Sequence, residues 1–154
     1  NQATPDVIES APTAEETISG PSEYEVMRTN SIAKKNRAIQ TKLEKVISYT
    51  KQTMVAYMSE EDLNRLCTYV AEYSSGDTLQ KITPVKVDSQ LKSIDIMHFG
   101  WNIGKAFGIK RIHTATFIKN VFAHTLRDLE ISTIERKMSH TESECYIKLQ
   151  QLKE

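Results

Sequence analysis

The sequence is short of the residues that staple or punctuate small proteins. It has two cysteines, Cys67 and Cys145, and their placement fits neither a disulfide framework nor a metal motif. Two reduced thiols are the expectation. Five glycines and four prolines are few, and Pro5, Pro12 and Pro21 all fall near the start. That shortage favours long helices over a chain of strands and tight turns. No apolar run approaches the ~18 residues needed to cross a bilayer. No signal-peptide core is visible either. A cytoplasmic protein that does not enter a membrane is therefore expected.

Catalytic signatures are absent as well. There is no glycine-rich phosphate loop, no G-x-S-x-G elbow and no H-E-x-x-H pair. His98 falls on an apolar helical face, where a hydrogen-bonded core histidine is the better reading. His113 and His124 lie too far apart along a helix to share a ligand. Cys67 has no neighbouring histidine in sequence to lower its pKa. The reading is a non-enzymatic protein with no metal and no cofactor.

What remains is ordinary globular material, 39% hydrophobic and 26% charged over 154 residues, enough for one core. The formal net charge of zero conceals a segregation. Residues 1–30 and 59–80 carry an acidic excess, and residues 31–58 and 81–138 a basic one. A basic face can bind a polyanion although the average charge is neutral.

Residues 1–22 hold few large apolar groups and read as a disordered acidic tail. From Tyr24 to about Met58 there is neither proline nor glycine, and apolar residues recur at threes and fours. That predicts a long helix whose other face carries Lys34, Lys35, Arg37, Lys42, Lys45 and Lys51. Its seam from Ile39 to Met54 is near a heptad repeat, so packing within its own domain and self-pairing are both open. Ser59 followed by Glu60, Glu61 and Asp62 caps a second helix, which Ser75-Gly76 ends. The two helices are expected to form an N-terminal hairpin over residues 23–76. Residues 77–89, limited by Pro84, read as a linker.

A C-terminal domain then occupies residues 90–154. A third helix is expected from about Gln90 to Phe107, opened by Asp88 or Ser89. Gly100 and Gly104 beside Trp101 mark points where a neighbour lies close, because glycine in a helix costs about 1 kcal/mol relative to alanine. A fourth helix is expected from about His113 to Leu126, with Phe117, Val121 and Phe122 joining Trp101 in the core. Ser132-Thr133-Ile134-Glu135 has the S-x-x-E pattern of a capping box and predicts a fifth helix. For residues 139–154 a final helix, slightly favoured, and a small β wing are both open. The fold class is thus all-α: a helical hairpin plus a trihelical, helix-turn-helix-like bundle.

Helix-turn-helix proteins insert the N-terminal residues of their last helix into the major groove. Ser132 and Thr133 sit where hydroxyls meet phosphates or base edges. Arg136 and Lys137 add phosphate attraction and guanine readout. Lys110, Arg111, Lys119 and Arg127 complete the candidate contact set. Residues 91–138, around His98-Phe99-Gly100-Trp101-Asn102-Ile103, resemble a family of small bacterial proteins of uncharacterised activity often found near mobile elements. The order of segments is also similar to the C-terminal domain of RteC-type regulators of conjugative-transposon excision, with Arg136-Lys137 matching an Arg-Lys pair of that pattern. The further Arg and Thr positions of the pattern are not matched past Met138. The resemblance implies a DNA-binding regulator acting on double-stranded DNA. The alternative, drawn from the Ile39–Met54 seam, is a protein-interaction module that forms a homodimer or binds a partner through its long helix.

Overall fold

Five helices organise the described residues, 20–153 of a computed structural model: α1 (Glu23–Met54), α2 (Glu60–Ser74), α3 (Ser93–Phe107), α4 (Arg111–Val121) and α5 (Ile131–Lys137). No strand occurs among the described residues. The expected acidic tail lies, through residue 19, outside them. The chain divides into two units between Ile39 and Gln40.

The first unit is the opening half of α1. Ser22 and Glu25 start it with a reciprocal cap: the Glu25 amide donates to Ser22 Oγ at 3.1 Å, and the Ser22 amide to Glu25 Oε1 at 2.9 Å. The backbone bond from Ser22 holds the Glu25 carboxyl below its usual range, and the Ser22 side chain adds to the effect. From Pro21 to Ile39 every residue except Ala33 is exposed.

The second unit holds the core. On α1 the expected stripe turns inward at Val46, Thr50 and Met54, all fully buried. Ser59 caps α2 as expected, accepting the Asp62 amide at 3.1 Å. Helix α2 buries Leu63, Leu66, Tyr69, Val70 and Tyr73, then ends at Gly76, whose φ of 82° an L side chain rarely adopts. Residues 77–89 form no helix or strand, and they are tied down. Val85 is fully buried and its amide donates to the Val121 carbonyl at 2.9 Å. Arg65 donates to the carbonyls of Thr83 and Pro84 while pairing with Asp62 at 2.7 Å.

Helix α3 begins at Ser93 instead of the expected Gln90, because residues 88–91 close a turn. Asp88 accepts the Gln90 amide on its side chain and the Leu91 amide on its carbonyl, both at 3.0 Å. Ile96, Phe99 and Ile103 are fully buried on α3. Helix α4 packs against both α3 and α5. The glycine expectation holds: a Cβ on Gly100 would stand 2.9 Å from the Ile118 side chain, and one on Gly104 would stand 2.6 Å from Thr114 Oγ1.

Helix α4 runs from Arg111 to Val121, not from His113 to Leu126. The apolar stripe does continue, with Phe122 and Leu126 fully buried. The backbone leaves the helix because the Val121 carbonyl accepts from Val85. The S-x-x-E box at Ser132 is not used as a cap. Glu130 occupies the N-cap position without a side-chain bond, and Ser132 lies exposed inside the first turn of α5.

Residues 139–153 form neither the final helix nor the wing strand. They run as an extended strap, and its backbone bonds to side chains of α3 in place of a partner strand. Asp95 Oδ1 accepts the amides of Tyr146 at 2.6 Å and Ile147 at 3.0 Å, while Oδ2 accepts that of Lys92 at 2.9 Å. His98 meets two carbonyls, Ile147 from Nδ1 at 2.8 Å and His140 from Nε2 at 2.7 Å. Asn102 donates to the Lys148 carbonyl at 2.8 Å and accepts the Gln150 amide at 2.8 Å. Side chains alternate along the strap: Ile147 is buried, and Tyr146 and Lys148 are exposed.

Candidate nucleic-acid interface

The eight candidate residues separate by what their side chains already hold. Arg111 opens α4, and its guanidinium donates to the carbonyls of Glu135 and Arg136 and to Ser139 Oγ at 3.0 Å. It closes the C-terminal end of α5, where carbonyls lack helical partners. Lys119 donates from Nζ to the carbonyls of Leu126 at 2.8 Å, Arg127 at 3.2 Å and Leu129 at 2.6 Å. It holds together the turn that follows α4. Both cations have structural tasks that the sequence reading did not assign to them.

Lys110, Arg127, Arg136 and Lys137 are exposed, and the described residues provide their side chains with no ion pair. Ser132 is exposed and Thr133 is half-buried. A shallow depression brings Lys119, Arg127 and Ser132 together, but Asp128 and Glu130 line it too. Acids there oppose the approach of a phosphate to the start of α5.

The other end of α5 differs. A cleft of about 380 Å³ is bounded by Trp101, Lys105, Lys110, Arg111 and Met138. Trp101 is half-buried there and not a full core residue, with the Lys105 ammonium 5.7 Å from its ring centre. Lys105 was not among the residues picked from the sequence. Its signal was available, since it lies one helical turn beyond Trp101 on the same face. Arg111 joins this cleft to the last turn of α5, the turn that carries Arg136 and Lys137. The first amides of α4 also open here and leave a partial positive charge. The result is a cationic edge around a partly exposed indole.

The remaining reactive side chains are quiet. Burial pushes the Cys67 thiol up, against a smaller opposing effect of Lys51, which is the reverse of what a thiolate nucleophile needs. His98 is buried with a backbone carbonyl within hydrogen-bond distance of each ring nitrogen, a neutral ring donating to one of them. Among the described residues no three histidine, cysteine or acidic side chains gather as metal ligands. None of their helices is long and apolar enough to cross a membrane. No family model, no curated protein and no solved structure matches this chain.

Proposed function

We propose that this chain is a DNA-binding regulatory protein, with α3, α4 and α5 acting as a helix-turn-helix-like unit. The observation that carries the reading is the cationic edge: Lys105, Lys110 and Arg111 line one cleft beside Trp101, next to the turn holding Arg136 and Lys137. The exposed Lys105, Lys110, Arg136 and Lys137 side chains, which unlike Arg111 are not taken up by carbonyls, suit phosphate contact, and an adjacent indole suits the sugar or base edge. The turn between α4 and α5 is longer than in the simplest motif. The contact surface is accordingly placed at the end of α5 rather than at Ser132 and Thr133. The order of segments, similar to that of the C-terminal domain of RteC-type excision regulators and with Arg136-Lys137 at its Arg-Lys pair, implies the same class of protein, one serving a mobile element.

The test is fluorescence anisotropy with unselected duplex fragments across a salt series. Affinity should fall steeply with salt, because each neutralised phosphate releases counterions. Joint replacement of Lys105, Lys110, Arg136 and Lys137 by alanine should flatten that slope. Absence of binding at low salt, or binding indifferent to the fourfold variant, would sink the reading.

A second reading, a helical interaction module, is favoured by the first half of α1. Tyr24, Val26, Met27, Ile32 and Ile39 are between 45% and 66% exposed on a helix that buries nothing before Val46. Ile32, Asn36 and Ile39 follow heptad spacing, and an asparagine in such a seam fixes register in two-stranded coiled coils. Sedimentation of the intact chain decides the homodimer form. A monomer at high concentration removes it.

A further inference from the structure

A second cleft, of about 480 Å³, lies between α4 and the segment that follows α2. Its floor is apolar. Tyr73 and Phe117 stack there with ring centres 4.3 Å apart, and Leu79, Ile82 and Ile109 are half-buried around them. Its rim is polar. Lys110, His113 and Asn120 project from the exposed side of α4, and among the described residues no protein group hydrogen-bonds their side chains. Asp77 is the single acid of the lining, and its carboxylate accepts the Ser75 hydroxyl at 3.0 Å. The Thr116 hydroxyl is likewise engaged, donating to the Ile112 carbonyl at 2.9 Å.

Small-molecule sites have this form: a concave apolar surface of roughly 300–1,000 Å³ with a few polar groups at one side. The charge of the rim selects among ligands. Lys110 is a free ammonium and His113 a free ring donor, whereas the Asp77 carboxylate and the Thr116 hydroxyl each already hold a bond and Thr78 adds only a neutral hydroxyl. We propose that the cleft binds a small organic acid. Its flat or branched apolar body would rest on Tyr73, Phe117 and Ile82, and its carboxylate would meet Lys110 and His113. A phosphodiester backbone is a poor occupant, because the floor offers it no donors. The inference shares Lys110 with the nucleic-acid reading, and the test separates the two because it reads the acid directly and needs no DNA.

The test titrates the intact, isotope-labelled chain with indole-3-acetate and octanoate, and with the uncharged indole-3-acetamide and octanol. Amide resonances report the site. Saturable shifts are expected at Tyr73, Leu79, Ile82 and Phe117, with each acid binding about tenfold more tightly than its uncharged partner, as one charge-assisted bond provides. Lys110→Gln combined with His113→Gln changes two exposed side chains and should reduce the acid to the affinity of the amide. Thr116→Trp should fill the cleft and abolish both, with a dispersed spectrum showing that the variant is folded. Three outcomes overturn the proposal: no saturable shift at millimolar acid, shifts that map away from the cleft, or equal binding of acid and amide.

Discussion

On one side of α3, Asp95, His98 and Asn102 are at most 1% exposed, and every one of them bonds to backbone groups of the C-terminal strap. On another side of the same helix, Trp101 is half-buried and Lys105 exposed at the edge of an open cleft. Both faces are built from polar or amphipathic residues at helical spacing, so composition does not separate them. Partnership does. The first face is saturated, because a polar group is buried only when its bonds are made. The second face leaves a cation and a ring edge accessible. The same division runs through the basic residues: Arg111 and Lys119 are taken up by carbonyls, and Lys110, Arg136 and Lys137 are not. Exposure alone would have grouped Arg111 with the free set.

Variants on the two faces should therefore behave in opposite ways. The largest effect is expected for Asp95→Ala. It strips three backbone amides of their acceptor, two of them in the strap. Unfolding in urea should show a loss of about 3–5 kcal/mol, the range for breaking a buried charge-assisted set. Lys105→Ala should move stability by less than about 0.5 kcal/mol, as surface changes do. A loss under about 1 kcal/mol for Asp95→Ala would mean that Asp95 does not hold the strap, leaving that task to His98 and Asn102.

Next in size is an alkaline effect at Tyr73, which joins the core to the cleft beside α4. Burial pushes its phenol up to about 12 from 10.0, while the bond to Thr114 pulls slightly the other way. The folded state thus favours the protonated phenol. The stabilising contribution is complete below the unfolded value and is lost as pH rises from about 10 to about 12. Over that window the loss should reach about 2–3 kcal/mol, at 1.36 kcal/mol per pH unit. Tyr73→Phe should reduce the slope between those pH values, leaving the part due to Tyr49, whose phenol burial also pushes up. An unchanged slope in the variant would place the titrating group elsewhere.

How far the sequence showed this in advance depends on the range of the interaction. Apolar periodicity located the helices, Ser59 announced the start of α2, and Gly100 with Gly104 announced the close approach of α4, because all of these are local signals. The cap formed by Ser22 and Glu25 was equally local and was passed over, although it has the same S-x-x-E form as the pattern at Ser132. The misplaced end of α4 had a distant cause. Whether Val121 keeps its helical bond depends on Val85, far away in the chain. Asp95 and Asn102 gave no sign of being buried, since most of their partners are backbone groups of residues 146–150 that almost any sequence would supply, with the Tyr49 hydroxyl as one side-chain partner of Asn102. The cationic site was half legible. Lys110 and Arg136 could be read as exposed bases, but the capture of Arg111 and Lys119 by carbonyls has no pattern in sequence.

The smallest stability effect gives the sharpest division between the two kinds of cation. Arg111→Ala should cost about 1–2 kcal/mol, since three acceptors at the end of α5 lose a charged donor and water only partly replaces it. Arg136→Ala with Lys137→Ala should leave the unfolding midpoint nearly unmoved, within about 0.5 kcal/mol, because neither side chain is engaged in an ion pair among the described residues. On the DNA reading the order reverses in a salt titration. The double variant removes two phosphate contacts and should lower the slope of log affinity against log salt by about 2. Arg111→Gln keeps a hydrogen-bond donor for the α5 carbonyls while removing the charge. If Arg111 is mainly structural, Arg111→Gln should recover much of the lost stability and lower the salt slope by less than about 1. A slope unchanged by the double variant, or a stability loss from it as large as that of Arg111→Ala, would erase the distinction between held and free cations.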